Sequence, residues 1–203
     1  MIVPPSLDVS RETAARLAAF VETLTKWQQH INLVSRATMD HLWQRHIADS
    51  AQLFELRPPC ALHWADLGTG GGFPGLIVAM LAADRAPDLR ITLVESDRRK
   101  AAFLATAARA ADVAPDIRAE RIESLAPLRA DVLSARALAP LPQLLAYSER
   151  HLSSGGTGLF PKGAAHAQEI SDALASWRFR VQKHSSRTDP AGTILAIDGV
   201  SRV

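Results

Sequence analysis

Intramolecular disulfides and multi-cysteine zinc centres are excluded at the outset, because the chain of 203 residues holds a single cysteine, Cys60. A lone thiol suits a reducing compartment, and Cys60 reads as buried filler. Aromatic residues are scarce at 5%, which leaves little material for stacking unpaired bases. No stretch reaches the ~20 apolar residues that a membrane span requires. Met1–Asp8 carries two prolines and an acid in place of the basic, apolar pattern of an export signal. Charge of one sign is also lacking. The net is +2, so despite a pI near 9.0 the chain is no polycation, and any RNA contact must come from local basic patches. The seven histidines show no paired ligand spacing with carboxylates or cysteine, which argues against a metal site. Together these absences describe a soluble, cytoplasmic protein.

The chain has enough apolar material, 47% of residues, for one substantial core and little room for a second domain. Leu17, Phe20, Val21, Leu24, Trp27 and Ile31 recur at spacings of three and four, which predicts an amphipathic N-terminal helix. A second helical stretch runs from about Asp40 to Leu56, where Pro58-Pro59 stops it. From Leu62 onward, short apolar runs alternate with helical patterns. Leu62–Leu67, Ile91–Glu95, Ile117–Glu120, Val132–Ala135 and Gly158–Pro161 read as strands. Helices are expected near Gly75–Ala83, Arg98–Ala111, Leu141–His151 and Ala165–Trp177. This alternation predicts an α/β fold with a mainly parallel sheet covered on both faces. Phe179–Ser186 and Thr193–Ile197 follow with no helix between them, and predict an antiparallel hairpin on the sheet edge. The expected division is a helical appendage over residues 1–60 and one catalytic unit over 61–203.

The most informative motif is Asp66-Leu-Gly68-Thr-Gly70-Gly-Gly72-Phe73-Pro-Gly75, placed where a strand ends and a helix begins. Glycines let the backbone turn tightly and approach a ligand, and the helix start offers free N–H groups to an anion. Asp66 gives the acid-x-Gly-x-Gly-x-Gly pattern that resembles motif I of class I methyltransferases. Gly70, Gly72 and Gly75 also satisfy the dinucleotide spacing, but a nicotinamide enzyme generally carries a substrate domain for which no residues remain. Glu95 closes the next strand, where its two oxygens can accept both ribose hydroxyls. The alternative to ribose binding for Glu95 is a helix N-terminal acid favoured by the dipole.

The resemblance then becomes specific. Lys26-Trp27-Gln-Gln-His-Ile31-Asn32-Leu33-Val, Arg45-His46-Ile-Ala-Asp49-Ser50 and Gly70-Gly-Gly-Phe73-Pro74-Gly75 follow one another in order. Glu95 with Arg99-Lys100 and Phe103-Leu104, Arg121-Ile122-Glu123, Ser134-Ala135-Arg136-Ala137 and Pro161-Lys162-Gly163 continue the series. Taken together these motifs resemble the RsmG (GidB) family over nearly the whole chain. Gln28 stands where the family usually has Asn, and Leu76-Ile77-Val78 lacks a second proline. The resemblance implies a seven-stranded class I (Rossmann-like) fold and methyl transfer from S-adenosylmethionine to guanine N7 of 16S ribosomal RNA. It implies cofactor contacts at Asp66, Gly68, Gly70, Phe73, Glu95, Ser96, Ile122, Glu123 and Arg136, with Arg136 and Lys162 beside the reacting groups. The implied partner is 16S rRNA or the small subunit, met by a monomeric chain away from any membrane.

Other readings of these residues stay open. Arg136 follows an apolar strand and must meet an anion, which is the cofactor carboxylate, an RNA phosphate, or an acid such as Asp131 or Glu123. Lys162 grips a phosphate or orients the base, or is a solvated loop lysine. His46 and Asp49, three apart on a helix, could touch, which admits an acid-base pair, and read first as structural supports of the cofactor mouth. Basic residues gather at Arg36, Arg45 and His46, at Arg98-Arg99-Lys100, and at Arg178, Arg180, Lys183, His184 and Arg187, and could track a phosphate backbone. A methyltransferase for a protein or small molecule and a non-enzymatic nucleotide-binding regulator are the competing functions.

Overall fold

The computed structural model describes residues 7–203; Met1–Ser6 and the side chain of Arg36 lie outside the described residues. Helix α1 (Arg11–Gln28) starts where Ser10 Oγ accepts from the Thr13 N–H at 3.0 Å, which satisfies a donor the helix cannot. It buries Leu17, Phe20, Val21 and Leu24. Gln28 then pins the chain that follows. Its Nε2 donates to the Val34 carbonyl at 2.8 Å, and its Oε1 accepts from the N–H groups of Leu33 at 3.0 Å and Val34 at 3.1 Å. The expected Asp40–Leu56 helix is not continuous. A short α2 (Arg36–Met39) precedes a π-helical turn over Trp43–Ala48, and α3 (Asp49–Glu55) completes the stretch. Cys60 is exposed in the segment between α3 and the first strand, so it fills no core, contrary to the sequence expectation. Pro59 and Leu62 on either side of it are exposed as well, so this turn points its side chains to solvent except at Ala61.

Seven strands form one sheet: β1 (His63–Leu67), β2 (Arg90–Val94), β3 (Asp116–Arg118), β4 (Ala130–Ser134), β5 (Leu152–Lys162), β6 (Trp177–Ser185) and β7 (Thr193–Arg202). Their order is β3-β2-β1-β4-β5-β7-β6. The first five are parallel neighbours, and β7 runs antiparallel to both β5 and β6. The hairpin therefore inserts β7 beside β5 and leaves β6 at the edge. Strand β5 is longer than its apolar run because a bulge sits between the Ala130 and Val132 pairings, where Gly155 adopts φ +84°. Every residue of β1 is buried, as expected of a central parallel strand.

Helix α4 (Gly75–Arg85) is buried on all sides from Gly75 to Ala82, which marks a helix enclosed by protein. It lies under α1 and α3, while α1 also packs on α5 (Arg98–Ala110). Leu17, Phe20, Leu53, Ile77, Leu93 and Val132 belong to a single core, so the residues of the N-terminal helices and those of the sheet are packed together. On the opposite face Leu67, Leu141, Leu145, Phe160 and Trp177 form a second core, which receives α6 (Leu141–His151) and α7 (His166–Leu174). Among the described residues no helix is long and apolar enough to cross a membrane.

Gln28→Ala removes the only side chain among the described residues that satisfies the Leu33–Val34 backbone groups at this point. Urea unfolding should show a loss of about 1 to 3 kcal/mol, the cost of stranding partly buried polar groups. A midpoint equal to that of the parent chain would contradict the anchoring role.

Candidate active site

Strand β1 delivers Asp66 to the root of the glycine loop, and α4 closes the loop at Gly75. Asp66 is 0% exposed. Its Oδ2 accepts from the Gly75 N–H at 2.9 Å, and its Oδ1 accepts from Ser134 Oγ at 2.6 Å. Ser134 in turn accepts from Trp64 Nε1 at 2.8 Å. Burial pushes the Asp66 carboxyl up to about 6, against the pull of the Ser134 and Gly75 hydrogen bonds. The expected contact residue thus sits beneath the loop and shapes it. A Cβ on Gly75 would lie 2.6 Å from Asp66 Oδ2, which explains the glycine there. Gly68 and Gly70 adopt φ +66° and +56°, a region that disfavours side chains. On Gly70 a Cβ would meet nothing nearer than Gly68 O at 3.7 Å, so this backbone has an open face.

That face belongs to a cleft of about 370 Å³ at the carboxyl ends of β1, β2 and β4, whose walls include Gly68, Gly70, Glu95, Ser96, Ile122, Glu123 and Arg136. Ligands in doubly wound sheets bind in this position, and the volume falls in the range of about 300 to 1,000 Å³ usual for small-molecule sites. Glu95 is 8% exposed; its Oε2 accepts from the Gly70 N–H at 2.9 Å and its Oε1 from the Asp97 N–H at 2.8 Å. Each oxygen keeps a second lone pair for a ribose hydroxyl. Ile122 lies in a 3-10 turn (Ile122–Ser124) whose first carbonyl is 3.2 Å from the buried His151 Nε2. Glu123 accepts from the Tyr147 hydroxyl at 2.6 Å, which holds its carboxyl below the usual range. Tyr147 accepts from Gln143 Nε2 at 2.7 Å. Sequence reasoning missed this pair, although residues four apart on α6 share a face.

Arg136 sits between the cleft and the N-terminal helices with its side chain 18% exposed. Neither Asp131 nor Glu123 is its partner. Asp131 is occupied by the N–H groups of Leu62 and His63, and Glu123 by Tyr147. Arg136 Nη1 donates to the Arg45 carbonyl at 3.1 Å and faces Asp49 Oδ2 at 3.4 Å, while Nη2 is 2.7 Å from His46 Nδ1. His46 and Asp49 therefore converge on the arginine instead of each other. Burial, with the Arg136 and Arg45 guanidiniums, pushes His46 down to about 4, so its neutral ring accepts the Arg136 proton. Phe73 is 4% exposed and packs against Phe20, His46 and Arg136. Its ring buttresses this assembly and is absent from the cleft wall.

A second cleft of about 350 Å³ adjoins the first, sharing Arg136, Ala137 and Ala139 and bounded by Asp49, Lys162, Glu169 and the β6–β7 loop. Ala137 adopts φ +52° in the dividing turn, a conformation that non-glycine residues hold only where their surroundings enforce it. Lys162 is no solvated loop lysine. Its Nζ donates to Glu169 Oε2 at 2.7 Å and to the Ala139 carbonyl at 3.0 Å, and its side chain is 10% exposed. Glu169 was not legible as a partner, because only the fold brings α7 back over the end of β5. Among the described residues no group of three or more His, Cys, Asp or Glu could hold a metal ion.

A mainly parallel sheet with an antiparallel β5-β7-β6 edge, bearing a glycine-loop cleft with a strand-end acid, defines a class I S-adenosylmethionine-dependent methyltransferase fold. The ribosomal protein L11 methylase from Lactobacillus delbrueckii subsp. bulgaricus shares it, with TM-score 0.59 and 19% identity, covering 74% of this chain and 76% of that one. The TehB-like SAM-dependent methyltransferase from Corynebacterium glutamicum ATCC 13032 does so with TM-score 0.58 and 12% identity, covering 92% and 100%. The profile of the GidB family, described as rRNA small subunit methyltransferase G, matches residues 13–192, and the chain belongs to that family. A ribosomal RNA small subunit methyltransferase G from Ruegeria sp. (strain TM1040) is 53% identical over 197 residues, covering 97% of this chain and 96% of that protein.

Two outcomes follow from this geometry. Gly70→Val places a branched side chain on the open face of a left-handed residue and should abolish S-adenosylmethionine binding in calorimetry; retained affinity in a folded variant would remove the loop from the site. The folded chain holds His46 neutral down to about 4, whereas an unfolded histidine titrates near 6.5. Its contribution is therefore full above pH 6.5 and declines as the pH falls toward 4. His46→Gln keeps an acceptor for Arg136 and cannot titrate, so thermal melts between pH 7 and 4 should lose stability less steeply than the parent. Parallel pH profiles would contradict a buried neutral His46.

Proposed function

We propose that this chain transfers a methyl group from S-adenosylmethionine to N7 of a guanine in 16S ribosomal RNA, acting in the cytoplasm as a monomer. The observation that carries the reading is the pair of clefts joined at the Arg136–Ala139 turn, one suited to a nucleoside and the other beside it for a base. Membership of the rRNA small subunit methyltransferase G family supports the RNA substrate. S-adenosylmethionine supplies an electrophilic methyl group on a sulfonium centre. Glu95 holds the ribose, Gly68 and Gly70 admit its close approach, and Ser96, Ile122 and Glu123 frame the nucleoside. Asp66 and Phe73 act through the loop they support.

Guanine N7 presents a lone pair and no proton, so the chain needs no general base. What its residues supply is alignment, worth up to about 7 to 11 kcal/mol in favourable intramolecular reactions. Arg136 and Lys162 fix the turn across which donor and acceptor must meet, and the helical appendage over residues 1–60 contributes through Asp49 and His46. The exposed basic side chains Arg178, Arg180 and Lys183 on β6 give phosphates a track toward the second cleft, with the salt sensitivity such contacts carry.

Chemical cleavage at N7-methylguanosine tests the reading on small-subunit rRNA from cells with and without the gene. One position should become resistant to cleavage in the deletion and regain sensitivity with a plasmid copy. An unaltered pattern would contradict the substrate assignment. In the purified protein, Lys162→Ala should lower methyl transfer with cofactor affinity intact. Arg136→Ala removes the ties to Asp49, His46 and the Arg45 carbonyl that hold the cleft wall, and should weaken cofactor binding by roughly 1.5 to 3 kcal/mol, the scale of a hydrogen bond to a charged group. Full activity in both variants would return the two residues to a supporting role.

A further inference from the structure

The second cleft contains a carboxylate with an unused oxygen. Glu169 Oε2 accepts from the Leu141 N–H at 2.8 Å and from Lys162 Nζ at 2.7 Å, whereas Oε1 has no hydrogen-bond partner among the described residues. The Glu169 side chain is only 26% exposed, and a partly desolvated acceptor gains from a donor that arrives with a ligand. Lys162 has a matching surplus, since two of its three ammonium hydrogens go to Glu169 and Ala139. The other acids of the cleft differ. Asp49 is committed to Gln52, Thr188 and Arg136, and Asp189 is exposed on the β6–β7 loop.

Resting on the reading of this chain as a guanine N7 methyltransferase, we infer that Glu169 and Lys162 together read the target base. When N7 faces the methyl donor, the N1–H and 2-amino donors of guanine point away from it, deeper into the second cleft. The free carboxylate oxygen accepts from that edge, and Lys162 donates its remaining hydrogen to O6, next to N7. Adenine reverses both terms, offering an unprotonated N1 to the carboxylate and a 6-amino donor to the ammonium. Transfer forms the N7–methyl bond with the lone-pair electrons of N7 as the sulfur–methyl bond breaks and sulfur keeps its electron pair. The base becomes cationic, so the Glu169 carboxylate attracts it more strongly as the reaction proceeds.

The test measures binding of GMP, IMP and AMP to the protein saturated with S-adenosylhomocysteine, in the parent chain and in Glu169→Gln. The parent should prefer GMP over AMP by about tenfold or more, the scale of one good two-point base contact. IMP, which lacks the 2-amino group, should fall between them. Glu169→Gln should cut the GMP preference at least about fivefold on that same scale, with S-adenosylmethionine affinity unchanged. Its kcat/KM on small subunits from cells lacking the gene should drop. No GMP preference in the parent, including no measurable binding of either nucleotide, overturns the inference, and this series needs no variant to fold. Failure of the parent to methylate those subunits would sink the functional reading instead; methylation by the parent matched by Glu169→Gln sinks the base-reading role alone.

Discussion

The Asp66 carboxylate is an ion enclosed in the core of the sheet, and a buried charge is tolerated only where hydrogen bonds replace its water. Those bonds come from Ser134 at the end of β4 and from the Gly75 N–H at the start of α4. One side chain thereby fixes the distance between two strands and a helix, and the glycine loop between Leu67 and Gly75 has one path left to follow. Glu95, arriving on the neighbouring strand, takes the Gly70 N–H from the opposite side. The two strand-end acids hence divide the work, one below the loop and one on its open face.

Arg136 extends the same logic to the N-terminal helices. Its guanidinium leaves β4 and is received by the π-helical turn through the Arg45 carbonyl and His46, and by Asp49 at the head of α3. π-helical turns concentrate at functional positions, and here the turn orients two of the three partners of one charge. Gln28 and the Leu33–Val34 backbone complete the connection, since a Cβ on Gly71 would lie 2.8 Å from the Leu33 carbonyl oxygen. The helices that precede the sheet are therefore part of the site wall. Two adjoining clefts divided by the Arg136–Ala139 turn follow from that arrangement.

Local signals made much of this legible. The alternation of apolar runs and helical patterns announced the parallel part of the sheet, though not its strand order, and the missing helix between Phe179 and Thr193 announced the edge hairpin. The glycine spacing located the loop. What stayed hidden depended on contacts between distant segments. Nothing near Asp66 in sequence says that its carboxylate turns inward, because Ser134 lies 68 residues away. Arg136 was expected to meet a ligand anion or a nearby acid such as Asp131 or Glu123, and the protein acid that faces it, Asp49, comes from 87 residues earlier. Phe73 was expected among the cofactor contacts through its place in the glycine loop, and nothing local told that its ring packs on Phe20, His46 and Arg136. Strand β5 begins at Leu152 although Ser153–Gly156 carries no apolar pattern, since backbone pairing across a bulge asks nothing of side chains.

On this reading a carboxylate with no exposed surface governs cofactor binding through the loop it anchors. Asp66→Asn is nearly isosteric, and its amide can replace only one of the two acceptors that Gly75 and Ser134 require. Calorimetric titration of this variant with S-adenosylmethionine tests the claim most directly. The account predicts a marked loss of affinity in a protein whose circular dichroism remains that of the parent; an unchanged Kd would contradict it.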